Sequence, residues 1–333
     1  MKQKILAVCD SEAEYTNRMQ EFLCTREELP FEVYAFTDTE KLENSSKKEE
    51  IEILLISESD YCEKIRQLPI ENIYMLNESG QQEHDDVEQI NKYQSSEKIL
   101  GQVLEFYSRR KDLPRKIKKG FSVNLIGVYS PIGRCLQTSF SLAMGQILAK
   151  EHKVLYLNFE SFSGLGQLLQ NDMETDLTDL VYYHTNAKER FRYRLETSLQ
   201  MMNGLYFIPP ATSFLDIQSI SADAWIKLIR AIEEEGRFEY IILDLSDCVQ
   251  GLLEILRKCS IIYTILKEDN MAVAKIHQYE EFLEDMEYQD VLEKTKKKKI
   301  PYIRQIAPRL EQITYGELGE YVKGVLREDM LYE

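Results

Sequence analysis

Cysteine is present, but not in any pattern that carries chemistry. Cys9, Cys24, Cys62, Cys135, Cys248 and Cys259 lie far apart, with no C-x-x-C pair and no histidine close by. That spacing argues against a disulfide frame or a zinc site and suits reduced thiols in a cytoplasmic protein. No apolar run approaches the roughly 20 residues of a membrane helix. The opening MKQKILAVCDSE is charged again by residue 10, unlike a signal peptide. Net positive charge is lacking too: 41 lysines and arginines stand against 57 acidic residues, a formal charge of −16. This balance argues against a dedicated nucleic-acid binder and fits a protein that works through protein surfaces. The expectation is a cytoplasmic chain with no membrane insertion and no specific nucleic-acid partner.

What is there is a repeated α/β rhythm. With 333 residues, 44% of them hydrophobic, the chain can build two cores. In residues 1–108, strand-like runs at 4–10, 31–38, 51–59, 72–79 and 88–93 alternate with helical patterns. One helix covers 12–26, with Tyr15, Met19 and Leu23 at helical spacing, and another covers 95–110. Apolar strands alternating with helices predict a parallel sheet covered on both faces. RRKDLPRKIKKG (109–120) then packs seven basic residues, one acid and a proline into a stretch that reads as a solvated linker. The basic run TKKKK (295–299) is expected to be solvated in the same way.

Residues 121–333 repeat the rhythm with strands predicted at 121–130, 153–160, 204–211, 238–247 and 259–269. The helix at 222–236 shows Trp225, Leu228, Ile229 and Ile232 on one face. Ligands of such sheets bind at the carboxyl ends of strands, which brings 130–139, 158–160 and 244–247 to one edge. There YSPIGRCLQTSF (129–140) joins a strand to a helix, the setting of a G-x-x-x-x-G-K-[ST] phosphate loop. Thr138 and Ser139 occupy the hydroxyl positions, but Leu136 and Gln137 stand where glycine and lysine belong.

Two resemblances follow from these residues. The order of elements in 1–108 resembles the receiver domain of response regulators. Asp10 and Glu12 fall on its acidic positions and Lys92 on its lysine, but Ser57 replaces the acceptor aspartate. Aspartyl phosphorylation needs a carboxylate nucleophile, so the resemblance implies a pseudo-receiver used for interaction. Residues 120–330 resemble the MinD/ParA deviant-Walker ATPases, whose loop reads K-G-G-x-G-K-[ST]-[ST]. Ile132 then falls on the first lysine, Gly133 and Arg134 on two glycines, Leu136 on the third and Gln137 on the second lysine. LNFE brings Asn158 and Glu160 onto the acidic pair, and YIILDLSD puts Asp244 on the Walker B aspartate.

A receiver-like domain ahead of this set is similar to the pilus-assembly proteins CpaE and TadZ. The fold class is therefore α/β: a receiver-like (flavodoxin-like) domain, 1–108, the linker, 109–120, and a P-loop NTPase-like domain, 121–333. The resemblance implies a vestigial phosphate loop over Gly133, Arg134, Cys135, Leu136, Gln137, Thr138 and Ser139. Thr138 and Asp244 would hold Mg²⁺ if ATP binds, and Glu160 and Asp244 would carry any remaining activity. Thr138 also suits a plain helix N-cap. Losing preorganised positive charge costs phosphoryl transfer orders of magnitude, so the favoured expectation is a non-catalytic scaffold without cofactor. The alternatives are an ATP-binding dimerisation switch and an atypical response regulator. Expected partners are a pilus or secretion ATPase or assembly complex and a second copy, placing the chain at a pole or at the membrane through them. The acidic tail 316–333, apolar at Leu318, Tyr321, Val322, Val325 and Leu326, is expected to pack on its own domain instead of on anionic lipid.

Overall fold

The computed structural model describes residues 4–26, 29–78, 87–108, 123–169 and 175–332. The basic stretch 109–120 lies outside them. The chain divides into two compact units, Met1–Ile117 and Lys118–Glu333.

The first unit runs β1 (Lys4–Cys9), α1 (Ala13–Thr25), β2 (Phe31–Phe36), α2 (Thr39–Ser46), β3 (Ile51–Ser57), α3 (Glu63–Arg66), β4 (Asn72–Asn77), β5 (Glu88–Asn91) and α4 (Ser96–Ser108). Its five strands are parallel in the order β2-β1-β3-β4-β5. β3 is buried along its whole length, as expected of a central strand covered on both faces. In α1 the buried residues Thr16, Met19 and Leu23 recur at helical spacing and seat the helix on the sheet.

The second unit contains β6 (Asn124–Val128), α5 (Gln137–Leu148), β7 (Val154–Asn158), α6 (Leu165–Leu169), α7 (Leu177–Asn186), α8 (Lys188–Ser198), β8 (Gln200–Met202) and β9 (Leu205–Phe207). It continues through α9 (Phe214–Ser219), α10 (Ala222–Glu234), β10 (Tyr240–Asp244), α11 (Leu252–Lys258), β11 (Ile261–Leu266), α12 (Asn270–Asp285), α13 (Gln289–Lys294), β12 (Thr295–Lys299) and α14 (Glu317–Glu328). The sheet order is β12-β11-β6-β10-β7-β9-β8, parallel except for the β8–β9 hairpin. Alternate residues of the central strands feed two cores. Trp225, Leu228, Ile229 and Ile232 of α10 enter one of them, as the sequence predicts. The other holds α5 together with Leu318, Val322, Val325 and Leu326 of α14, so the acidic tail packs on its own domain. Gly145 lets α5 lie close to the sheet: a Cβ there would meet Leu205 Cδ2 at 2.8 Å.

One expectation fails. TKKKK is not a free solvated run but β12, the edge strand paired with β11 from Ile262↔Thr295 to Leu266↔Lys299. Its lysines are held by acids: Lys296 by Asp329 at 3.5 Å, Lys298 by Glu328 and Asp329 at 3.1 and 3.2 Å, Lys297 by Glu280 and Lys299 by Glu268. The backbone pairing of β11 and this acidic frame outweigh the poor strand propensity of lysine. In return, lysines along an open edge oppose pairing with other chains.

Candidate functional site

The strand ends Val128, Asp244 and Asn158 stand side by side in register, so the loops that follow them share one edge of the sheet. The turn after β6 keeps an unusual backbone without the residues that favour it. Arg134 has φ 58° and Leu136 φ 68°, both left-handed, on two of the three positions that align with glycine. A Cβ in that region costs on the order of 1 kcal/mol per residue. The turn is therefore held by its surroundings. Ser130 Oγ donates to Ile265 O at 2.7 Å and accepts from Ile132 N at 3.3 Å, while Ile132 and Cys135 are buried in the core below.

α5 begins at Gln137, and its N-cap is Leu136 with no side-chain capping bond, so Thr138 does not cap the helix. Gln137, buried, turns inward. Its Nε2 donates to Asp244 Oδ1 at 2.7 Å and to Leu245 O at 2.8 Å, with Glu160 Oε1 at 3.4 Å. The other oxygen of Asp244 accepts from Tyr156 OH at 2.7 Å and Asn158 Nδ2 at 3.2 Å. Burial pushes the Asp244 carboxyl up, and hydrogen bonds from Gln137, Tyr156 and Thr138 pull it partly back. Glu160 is pushed up to about 7 by burial, then by the charges of Asp244 and Asp247. Asp247 in turn accepts from Tyr129 OH.

The structure thus brings Gln137, Asn158, Glu160 and Asp244 together, with Thr138 adjoining, as the motif order predicts. It sets Gly133 and Arg134 apart as exposed, Ser139 as half-buried, and Ile132 and Cys135 as buried apolar anchors. Tyr156 is the member that motif reading omits. It sits two residues before Asn158 on the same strand, so the period of two already puts both side chains on one face.

The first domain has its own polar cluster at the matching sheet edge. Lys92, buried, reaches Asp10 Oδ2 at 2.8 Å, Glu78 Oε1 at 2.7 Å and Glu12 Oε2 at 3.3 Å. Burial works against its ammonium, but the bonds to Asp10 and Glu78 outweigh it and the lysine pKa is raised. Ser57, fully buried, donates to Asp60 Oδ2 at 2.6 Å, and the same oxygen accepts from Ser11 N at 2.7 Å. Among the described residues no group of three or more His, Cys, Asp or Glu is placed to hold a metal ion.

A family model for the TadZ-like receiver domain matches residues 1–108. This chain carries a TadZ-like receiver domain. In the TadZ-like domain Asp10, Glu12 and Lys92 meet at the carboxyl edge of the sheet, where Ser57 ends β3. The second unit, a mainly parallel sheet with a strand–loop–helix at β6–α5 and the strand-end acid Asp244 beside it, is an α/β arrangement of P-loop NTPase-like kind. Solved structures similar to the chain include the cell division ATPase MinD of Pyrococcus furiosus, 15% identical over 62% of this chain and 99% of that one, TM-score 0.47. Another is a ParA family ATPase from Chlorobium tepidum TLS, 17% identical over 62% and 95%, TM-score 0.46. A third is the MinC:MinD cell division protein complex of Aquifex aeolicus, 14% identical over 63% and 97%, TM-score 0.47. No curated protein sequence matches the chain. Among the described residues no helix is long and apolar enough to cross a membrane.

Proposed function

We propose that the chain is a non-catalytic scaffold of the CpaE/TadZ kind. It would act as a homodimer in the cytoplasm that helps place or assemble a pilus or secretion machine, in contact with that machine's ATPase or assembly complex. The observation that carries this reading is the inward amide of Gln137. It stands where the phosphate-loop lysine would be and bonds to Asp244, the acid that would serve a metal. Both oxygens of Asp244 already accept from neutral donors, and the carboxylate is fully buried. A divalent ion prefers several open, charged oxygens, so this donor set does not fit Mg²⁺ unless Gln137 leaves. The branched side chain of Leu136 crowds a backbone that must approach phosphate closely.

One observation favours the second reading, an ATP-driven dimerisation switch: Arg134 and Leu136 keep the left-handed turn of a phosphate loop, and α5 presents its uncapped N-terminus there. Titration calorimetry of the full chain with ATP·Mg²⁺ separates the two. The scaffold reading expects no saturable heat at millimolar nucleotide from the wild type, with heat recovered in Leu136→Gly/Gln137→Lys. Micromolar binding by the wild type would replace it with the switch. A bare double variant would mean that the loop is wrongly aligned.

A further inference from the structure

α12 is 16 residues long, yet only Ala272 and Leu283 on it are buried. These two, with Ile276 and Tyr279, turn toward the domain core at helical spacing. Met271, Lys275, Gln278 and Phe282, with Met286 just past the end, follow each other at steps of four, three, four and four. They therefore lie along a second side of the helix. Its apolar members are open: Met271 is 68% exposed, Phe282 48% and Met286 52%.

The charges flanking this stripe change sign along it. At the amino end, Arg134, Lys267 and Lys275 line an open depression of about 370 Å³ together with Met271 and one acid, Asp269, which accepts from Ala272 N as the cap of the helix. None of these three cations is ion-paired among the described residues. At the carboxyl end stand Glu281, which pairs with His277 at 3.2 Å, and Asp285. Such a pattern is self-complementary under a twofold axis. Two copies of α12 laid antiparallel about residues 278 and 279 bring each basic end onto the other's acidic end. The same operation sets Met271 against the partner copy's Met286, and the Lys275 stem against its Phe282.

We propose that α12 is a homodimerisation surface, occupied by α12 of a second copy, with the basic depression receiving the acidic end of the partner helix. This gives the homodimer of the preceding reading a surface; it rests on that part of the reading and not on the state of the phosphate loop. A helix of this length spans about 24 Å. One such pair covers less than the ~1,200–2,000 Å² of a standard stable interface, so the dimer is expected to be weak and reversible.

Sedimentation equilibrium of the full chain over a wide concentration range is the test, with two charge-reversed variants, Lys267→Glu/Lys275→Glu and Glu281→Lys/Asp285→Lys. The wild type is expected to dimerise reversibly. Each variant alone is expected to associate about tenfold more weakly, since like charges then meet at both ends. An equimolar mixture of the two should recover wild-type association, because each heterodimer restores opposite charges at both ends; that recovery also shows that both variants fold. A wild type that stays monomeric overturns both the surface and the homodimer. A wild-type dimer that neither variant weakens overturns the surface and leaves the homodimer standing. Weakened variants that do not recover on mixing overturn the antiparallel pairing.

Discussion

In the first domain the buried carboxylate Asp10 meets an ammonium; in the second, Asp244 meets only neutral donors. Both clusters sit at the carboxyl edge of a parallel sheet. The cluster of the first domain holds Lys92 tied to three carboxylates, with Ser57 bonded to Asp60 nearby. The second site sets the acids Glu160 and Asp244 beside two amides, Gln137 and Asn158. The difference shows in the protonation of each site. Lys92 is driven further into its charged form, whereas Glu160 is driven toward its neutral form, its pKa raised to about 7 by burial and by the charges of Asp244 and Asp247. A buried acid can be stabilised by a counter-charge or by sharing neutral hydrogen bonds, and the two routes fail differently when broken.

The largest expected effect comes from removing the counter-charge. Lys92→Met leaves Asp10 buried without its cation, and the first domain should lose about 3 kcal/mol in denaturant unfolding. Gln137→Leu removes a neutral donor from Asp244 and from Leu245 O, and the second domain should lose less, about 2 kcal/mol. A larger loss from Gln137→Leu than from Lys92→Met would break the contrast. The smallest effect is in pH dependence. The folded pKa of Glu160 lies above its ordinary 4.5, so its contribution to stability is fully present below about pH 4.5 and is lost as pH rises through about 7. The second domain should therefore unfold more readily at pH 8 than at pH 6, and Glu160→Gln should flatten that slope. The pKa of Lys92 is raised as well, so its contribution stays intact over that range and is lost only as pH rises through the still higher folded value.

Much of this was legible where side-chain pattern and burial agree. α10 could be read from Trp225, Leu228, Ile229 and Ile232 because an amphipathic helix repeats its core contacts every turn. The site edge was legible because strand ends in a parallel sheet must align, which brings Asn158 and Asp244 together. β12 was not legible, since four consecutive lysines carry no strand signal. The reason for its strand, the pairing with β11 and the acids Glu268, Glu280, Glu328 and Asp329, lies elsewhere in the chain. Nor could the identity of residue 137 show where its side chain points. Only the structure shows the Gln137 amide turned inward onto Asp244 and Leu245 O.

That inward amide is the centre of the account, and it has a spectroscopic handle. The side-chain NH₂ resonances of Gln137, assigned by their loss in Gln137→Leu, can be followed by NMR while ATP·Mg²⁺ is added to millimolar concentration. If Gln137 closes the site, they should stay where they are, shielded from solvent exchange throughout. A saturable shift at micromolar nucleotide, with faster exchange as the amide leaves Asp244, would contradict the account.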